Sequence, residues 1–294
     1  MSALPDSSTA PAISVVVVNW NGGDEVIACL ESLASCPPSV PFDVILVDNA
    51  SSDGSVKRIR RDLPWVRVIA NRKNLGLAAG NNQGIRASES EYVLISNPDV
   101  HYKPGAIDAL HELLLRRDRA AFAIARLRDP DGTLQTSAGD LPTLSEALMG
   151  RALTRNNGAR RGFWWHGWDH DAEQRIGHGG EACYLVRRDT ITEIGVQDER
   201  FWLDWEGIDW SRRVAEAGWE IWYCPEAEVV HVGGVSLRQV KYRWIFFSHR
   251  GMYRYFAPRT ARVLRPFLAL AIVARAATKM AVATVDARIY DRAH

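Results

Sequence analysis

Apolar runs alternate with amphipathic stretches along the first third of the chain. Because the runs are apolar throughout, they predict strands covered on both faces, as in a parallel sheet. The stretches between them carry apolar residues near a 3.6-residue period and predict helices. The resulting β-α-β-α-β-α-β order predicts an α/β fold with a mostly parallel central sheet flanked by helices. The four runs read ISVVVVN, FDVILVD, WVRVIA and YVLIS.

Each predicted strand is followed by side chains that can hydrogen-bond a ligand. In parallel α/β proteins the carboxyl ends of the strands meet at one edge, and ligands bind there. We therefore predict a binding edge. A turn is the alternative role of these residues, since Asn, Asp and Pro are favoured in turns. The polar side chains are Asn19, Asn21, Asp48, Asn49, Asn71, Asn74, Asn97 and Asp99.

Three motifs of nucleotide binding and catalysis are absent from the sequence: GxxxxGK[ST], GxGxxG after the first strand, and GxSxG. Their absence argues against a P-loop, a dinucleotide-binding fold and a serine nucleophile elbow. Carboxylates and amides at strand ends instead suit a sugar nucleotide bound with a hard divalent metal. The predicted cofactor is Mn²⁺ or Mg²⁺, and no nucleic-acid partner is expected.

The net charge of +1 conceals an uneven distribution of charge. From Ser236 to His294 there are twelve Lys and Arg residues against two acidic residues. Within this region Val263 to Val285 is strongly apolar, but Arg275 and Lys279 interrupt it, which argues against a membrane span. A basic, apolar helix on an anionic membrane face suits this composition better. Packing of the helix on the domain is the alternative.

Two further features bear on the compartment. The four cysteines have neither CxxC nor metal-ligand spacing, so we expect reduced thiols in a cytosolic protein. Residues 1–12 contain no apolar signal core and are predicted to form a disordered tail. Together with the basic C-terminal region, these features predict a cytoplasmic protein that is peripheral on the inner face of the cytoplasmic membrane.

A resemblance rests on seven segments that occur in order along the chain. Their order resembles the family 2 glycosyltransferases of the GT-A fold, especially the bacterial rhamnosyltransferase-like branch that builds cell-surface polysaccharides. The resemblance runs from about Ile13 to Ser236. It implies a GT-A domain over residues 13–235, followed by a C-terminal helical extension over 236–294. The segments are SVVVVNWNG, VILVDNASSDGS, NLGLAAGNNQGI, ISNPDV, GGEACYLVRR, FWLDWEGIDWSRRVAEAGW and HVGGVS.

The resemblance also implies an activity. It is the inverting, metal-assisted transfer of a sugar from a nucleotide-diphosphate donor to a cell-surface glycan or a lipid-linked acceptor. The branch suggests L-rhamnose from a dTDP-linked donor, and UDP-linked sugars fit as well. The acceptor is expected on a polyprenyl diphosphate. Two rival functions are a sugar-phosphate nucleotidyltransferase and a non-catalytic module that binds nucleotide sugars or glycans.

The same resemblance assigns the donor site. Asn97 and Asp99 stand where the family places an Asp-x-Asp element, so Asp99 would hold the metal, while Asn97 supplies only a neutral amide. His231 in HVGGVS matches a position that helps to hold the metal or the diphosphate, although a lone His is often structural. Asp48 would contact the base or ribose. The floor under the nucleotide would be shaped by Asn74, Gly76, Asn81 and Asn82, beside Asn19 and Asn21.

The catalytic base is less clearly marked. The family motif reads Glu-Asp-x-Asp, whereas this chain reads Glu206-Gly207-Ile208-Asp209, with glycine in place of the first aspartate. Glu206 is the first candidate for the base, Asp209 the second and Asp204 the third, and impaired catalysis is the remaining alternative. On the acceptor side, the resemblance and the basic tail suggest contacts with the sugar or diphosphate. The candidates are Trp205, Arg238, His249 and Arg250, with core packing or a solvated basic face as the alternative.

Overall fold

The computed structural model describes residues 10–149, 162–233 and 241–293. Its N-terminal part follows the predicted β-α-β-α-β-α-β order. The central strand β1 pairs in parallel with β2 and β4, and β2 pairs in parallel with β3. This half of the fold is therefore confirmed. Its elements are β1 (Ile13–Asn19), α1 (Gly23–Ser35), β2 (Phe42–Asp48), α2 (Ser55–Asp62), β3 (Val66–Ala70), α3 (Leu77–Ala87) and β4 (Tyr92–Ser96).

The remaining elements extend the sheet and cover one end of it. Among the described residues they include seven strands and six α-helices. They are β5 (Val100–Tyr102), α4 (Ala106–Arg116), β6 (Ala120–Arg128), β7 (Ala138–Gly139), α5 (Leu144–Met149), β8 (Gln174–Ile176), β9 (His178–Gly179), β10 (Cys183–Arg187), α6 (Arg188–Ile194), α7 (Glu206–Glu216), β11 (Glu220–His231), α8 (Lys241–Phe256) and α9 (Arg265–Ala293).

The sheet has the order β3-β2-β1-β4-β10-β6-β11-β5, with β8 paired to β11. Strand β10 is antiparallel to β4, and the Asn97 N–H donates to the Ala182 carbonyl at 2.8 Å. The start of β10 therefore lies beside the end of β4. Strand β11 is antiparallel to β5, which pairs His231 with Val100. Four chain segments thus converge at the predicted binding edge.

Apolar residues fill both faces of the sheet, because successive strand residues point to opposite sides. Val15 and Val17 of β1 face one buried cluster, and Val16 faces another. A third cluster joins the segment before α7 to the C-terminal helices, and Trp205 and Leu268 belong to it. The C-terminal helices thus share a core with the loop that carries the acidic motif. The predicted domain boundaries stay a prediction, and residues 1–9 of the expected tail lie outside the described residues.

Candidate active site

A cavity of about 690 Å³ opens at the predicted binding edge. Its walls come from the ends of β1, β4, β9 and β11, from the loop that leads into α7, and from α8 and α9. The fold therefore brings together residues that lie more than two hundred positions apart in the chain. Seven predicted site residues line the cavity: Asn74, Gly76, Asn97, Asp99, Trp205, Glu206 and His231.

Asp99 and His231, the two residues predicted to hold a metal, lie next to each other. The distance from Asp99 Oδ1 to His231 Nε2 is 3.4 Å, and the Asn97 amide nitrogen lies 3.3 Å from the same Nε2 atom. The Val232 N–H donates to the Asp99 carbonyl at 3.0 Å, so the end of β11 is fixed against this turn. A carboxylate oxygen and an imidazole nitrogen thus converge on one side of the cavity.

Gln135 determines which nitrogen of His231 carries the proton. Its amide nitrogen lies 2.7 Å from Asp129 Oδ1 and 2.8 Å from the His231 carbonyl oxygen, so the amide N–H groups donate to these two acceptors. The Gln135 oxygen therefore faces His231 Nδ1, at 2.9 Å, and must accept a hydrogen bond from it. In the neutral ring Nε2 then carries the lone pair, 3.4 Å from Asp99 Oδ1, which is the arrangement usual for a histidine that binds a metal.

The pair fits a divalent cation as part of its coordination shell. Among the described residues, no group of three or more His, Cys, Asp or Glu side chains could hold a metal. A hard cation such as Mg²⁺ commonly takes one or two protein carboxylates and completes its shell with substrate phosphates and water. Asp99 and His231 therefore suit a metal whose remaining ligands are oxygen atoms of a bound diphosphate and water.

Three carboxyl groups in and beside the acidic motif line the cavity and interact electrostatically: Glu181, Asp204 and Glu206. Glu206 is only 1% exposed, and its Oε2 atom has no hydrogen-bond partner among the described residues. Burial, and then the Glu181 and Asp204 carboxylates, raise the pKa of Glu206 well above its usual range. Burial also raises the pKa of Asp204, opposed by a hydrogen bond from Ser248. The cluster is thus able to retain a proton near neutral pH.

A strained turn presents this cluster to the cavity. Asp204 and Trp205 have φ angles of 63° and 71°, in the left-handed region that residues other than glycine rarely adopt. Such strain costs on the order of 1–3 kcal/mol per residue and persists where the surroundings enforce it. Here Trp205 is anchored in the cluster shared with the C-terminal helices, beside the ring of Tyr255. Trp205, a predicted acceptor contact, is therefore largely a packing residue that also borders the cavity.

Asp209, the second candidate for the base, does not line the cavity. Its carboxylate oxygens lie 2.8 Å from Arg212 Nη2 and 3.0 Å from Arg213 Nε. Arg213 in turn donates to the Ile194 and Val196 carbonyls. Asp209 therefore joins α7 to the segment after α6, and its charge is neutralised by two guanidinium groups.

Three residues predicted to bind the nucleotide sugar, Asn19, Asn21 and Asp48, instead make hydrogen bonds within the loops at the carboxyl ends of β1 and β2. Asn19 donates to Asp48 Oδ1 at 2.9 Å, and the Ser51 N–H donates to Asp48 Oδ2 at 3.0 Å. Asn21 Oδ1 accepts from the Ser52 N–H at 2.8 Å. None of the three borders the cavity in the described part of the chain. The turn function, which the sequence left open, is the one that these contacts support.

Asn81 and Asn82 lie inside α3 and are buried away from the cavity. Asn82 accepts from the Gln197 N–H at 3.0 Å and donates to the Gln197 carbonyl at 2.8 Å.

Gly76 precedes the same helix and has a φ of 93°, and a Cβ atom there would lie 2.5 Å from the Trp202 carbonyl oxygen. The backbone at Gly76 therefore approaches the turn before α7 closely, and α3 is tied to that turn.

The sequence matches the family model described as Glycosyl transferase family 2 over residues 14–172. An N-acetylglucosaminyl-diphospho-decaprenol L-rhamnosyltransferase of Mycobacterium tuberculosis is 31% identical over 266 residues, which cover 84% of this chain and 84% of the relative. The chain belongs to glycosyltransferase family 2. A low-salt glycan biosynthesis hexosyltransferase of Haloferax volcanii is a more distant relative of this glycosyltransferase, at 24% identity over 74% of this chain and 66% of the relative.

Solved structures share the fold of this glycosyltransferase. A mannosyltransferase from Pyrobaculum calidifontis, in complex with GDP-Man and Mn²⁺, superposes with a TM-score of 0.58 at 15% identity. The superposition covers 96% of this chain and 77% of the mannosyltransferase chain. GalNAc-T7 with UDP, GalNAc and Mn²⁺ gives a TM-score of 0.56 at 16% identity, over 77% and 44% of the two chains. The GT-A fold predicted from the sequence is confirmed.

The C-terminal helices of the glycosyltransferase contribute Arg275 to the cavity. Arg275 Nη1 lies 2.7 Å from His249 Nε2, and His249 Nδ1 donates to the Ile245 carbonyl at 2.7 Å. Burial, and then Arg275, lower the pKa of His249 and favour its neutral form. His249, a predicted acceptor contact, is thus buried and orients the arginine that faces the cavity. Arg250 is exposed and does not border the cavity, and Arg238 lies outside the described residues.

Helix α9 is apolar on both of its sides. Within the described residues, Arg262–Thr284 is one stretch long and apolar enough to cross a membrane, by length and composition alone. Leu268 and Ile272 are buried against the domain, whereas Phe267 and Leu270 are 69% and 68% exposed. Residues at these spacings lie on opposite faces of a helix. One face therefore packs and the other presents apolar side chains outward.

Sequence reasoning missed Glu181, Gln135 and Arg275 as cavity residues. Gln135 and Arg275 carry no local signal, because their roles depend on histidines 96 and 26 positions away. For Glu181 there was a signal. It is a carboxylate two residues before the buried strand β10, in a chain whose acidic motif lacks a carboxylate at Gly207.

Proposed function

We propose that this family 2 enzyme transfers a sugar, with inversion at the anomeric carbon, from a nucleotide-diphosphate donor to a sugar carried on a polyprenyl diphosphate. The observation that carries the proposal is that one cavity holds the Asp99–His231 pair, the three carboxyl groups of Glu181, Asp204 and Glu206, and the half-buried Arg275. The name of the mycobacterial relative supports L-rhamnose as the sugar and a diphospho-prenol as the acceptor class. A dTDP-linked donor is our first choice, and a UDP-linked donor is the second.

At the donor end, Asp99 and His231 would hold Mn²⁺ or Mg²⁺ together with the diphosphate. A bound cation would neutralise the negative charge that develops on the leaving diphosphate. Asn97 directs its amide toward the same point and can donate to a phosphate oxygen once a ligand is bound. Asn74 and Gly76 border the cavity on the side of α3, where the backbone of Gly76 leaves room for the nucleotide.

At the acceptor end, a carboxylate of the Glu181–Asp204–Glu206 cluster accepts the proton of the attacking hydroxyl group. A general base must lie within hydrogen-bond reach of that proton, and these carboxyl groups line the cavity. Arg275 projects from α9 into the same space, where a guanidinium group suits the acceptor diphosphate. The contact with His249 orients the Arg275 side chain, and we expect its guanidinium group to bind the acceptor diphosphate.

We propose that the enzyme works at the cytoplasmic face of the membrane, bound at its surface. The exposed side of α9 carries large apolar residues, and the opposite side of the same helix carries Arg275 into the cavity. A lipid-linked acceptor would then need to reach only across the helix to place its diphosphate near the arginine. The basic composition of the C-terminal region also favours an anionic bilayer.

No observation favours either rival function. A nucleotidyltransferase would be expected to carry Arg and Lys in a glycine-rich loop after β1, and the loop NWNGGDE contains neither residue. The non-catalytic alternative rested on the missing aspartate at Gly207. The neighbourhood of that glycine contains three other carboxyl groups.

Thermal unfolding with nucleotides tests the donor end. We expect dTDP and dTDP-L-rhamnose to raise the melting temperature in the presence of Mn²⁺, since a ligand at about 100 times its dissociation constant stabilises the native state by about 2.7 kcal/mol. Asp99→Asn should lose most of the manganese-dependent part of the shift. Transfer is then measured with dTDP-L-rhamnose and N-acetylglucosaminyl-diphospho-decaprenol. No stabilisation by any nucleotide diphosphate, and no transfer, would refute the proposal.

A further inference from the structure

A side chain on residue 207 would overlap the present position of a neighbouring side chain, although the φ angle of Gly207 lies outside the left-handed region. Gly207 lies in the first turn of α7, where glycine costs on the order of 1 kcal/mol relative to alanine. A Cβ atom on residue 207 would overlap the carboxylate carbon and both carboxylate oxygens of Glu181, far inside the 3.0 Å that such atoms require. The side chain of Glu181 therefore fills the space that a residue 207 side chain would occupy.

The backbone around Glu181 is fixed on both sides. The Ala182 carbonyl accepts from the Asn97 N–H, and the Gly180 N–H donates to the Ser137 carbonyl, both at 2.8 Å. The carboxylate itself accepts a hydrogen bond from the Gly207 N–H, at the N-terminus of α7. Glu181 is thus held between the end of β4, which carries the metal-binding turn, and the first turn of the acidic motif. It lines the same cavity as Asp99.

The other carboxyl groups of the region are less suited to accept a proton from an acceptor. Asp209 is paired with two arginines and lies outside the cavity lining. Glu206 is almost completely buried, and its raised pKa favours the protonated form. Glu181 is more exposed than Glu206, and burial followed by the Asp204 carboxylate raises its pKa only to about 8, so part of its population is ionised near neutral pH. A base of this strength is well matched to proton transfer near neutral pH.

We propose that Glu181 is the catalytic base of this glycosyltransferase and supplies the carboxylate that the family motif carries at position 207. Glu181 takes the proton of the acceptor hydroxyl group as the hydroxyl oxygen bonds to the anomeric carbon. The bond from that carbon to the diphosphate oxygen breaks, and the leaving nucleotide diphosphate keeps the electron pair. The assignment rests on the proposed function, because it names the base for that reaction.

The test removes the carboxylate at 181 and then restores one at 207. Glu181→Gln keeps an oxygen that can accept from the Gly207 N–H, so it alters basicity more than packing. We expect its kcat to fall by about 100- to 10,000-fold, with the KM for the donor changed by less than about threefold. The double variant Glu181→Gly with Gly207→Asp should recover at least about tenfold of that loss. Glu193→Gln, an exposed carboxylate outside the cavity lining, is the matched control.

Each outcome decides the assignment. All variants are first compared by melting temperature and by the shift that dTDP with Mn²⁺ produces, so that only folded, donor-binding proteins are compared. An active Glu181→Gln variant overturns the assignment, and so does a folded double variant that is no better than Glu181→Gln. Wild-type protein that transfers no sugar overturns the proposed function itself, and the base with it. An active wild type with an active Glu181→Gln variant overturns the base alone.

Discussion

Replacing Glu181 by glutamine should stabilise the protein at alkaline pH, whatever its effect on activity. Burial, and then the Asp204 carboxylate, raise the pKa of Glu181 from its ordinary value of 4.5 to about 8. Below pH 4.5 the Glu181 carboxyl group is protonated in both the folded and the unfolded chain, so its titration does not reduce the free energy of unfolding. As the pH rises toward the higher value the unfolded chain releases its proton first, so the folded state loses stability. The loss is complete above about pH 8.

The size of the effect follows from the two pKa values. Each pH unit between them corresponds to about 1.36 kcal/mol. The full separation would amount to roughly 5 kcal/mol, but Glu181 lines a cavity of about 690 Å³, and water in a cavity of that size would screen the carboxylate. We therefore expect Glu181→Gln to raise the free energy of unfolding by about 1–3 kcal/mol near pH 9 and to change it little near pH 5.

Thermal unfolding between about pH 5 and pH 9, at constant ionic strength and without nucleotide, measures this difference. The melting temperature of Glu181→Gln should exceed that of the wild type by about 2–8 °C at the alkaline end. Glu193→Gln removes an exposed carboxylate and should follow the wild type throughout. A difference between Glu181→Gln and wild type that is the same at every pH would refute the reasoning, because a group with a raised pKa must act through titration.

Three further predictions concern other parts of the site. Gln135→Leu removes the partner that orients His231 and should weaken manganese binding in the nucleotide complex by about 10- to 100-fold, measured by calorimetric titration; unchanged affinity would contradict that role. Gly76→Ala should lower the free energy of unfolding by about 1–3 kcal/mol more than Gly54→Ala, since both glycines have positive φ but only the first faces a backbone oxygen at 2.5 Å; equal melting temperatures would contradict this. Phe267→Glu should abolish sedimentation with anionic vesicles and leave the melting temperature unchanged, because this side chain is exposed; persistent binding would exclude the face as a membrane contact.

The parallel half of the sheet was predictable from the sequence because its signals are local. A run such as that of β1 is apolar at every position, which only a strand covered on both faces requires, and the helices between the runs show their own period. Asp99 was also within reach, since the carboxyl ends of parallel strands must meet at one edge. The antiparallel insertion of β10 between β4 and β6 was not, because no local pattern states which strand a later strand will join.

The chemistry of the acidic motif was decided by the tertiary structure. From the sequence, Gly207 was a missing carboxylate and Asp209 a candidate for the base. In the fold, Asp209 is neutralised by two arginines of its own helix, and Glu181 fills the space beside the glycine. The contact between Glu181 and Gly207 joins elements that are remote in the chain, and the packing of α7 decides that Asp209 lies outside the cavity lining. Sequence by itself determined the parallel half of the fold and the edge where its polar residues gather, whereas only packing determined which carboxyl groups border the cavity at that edge.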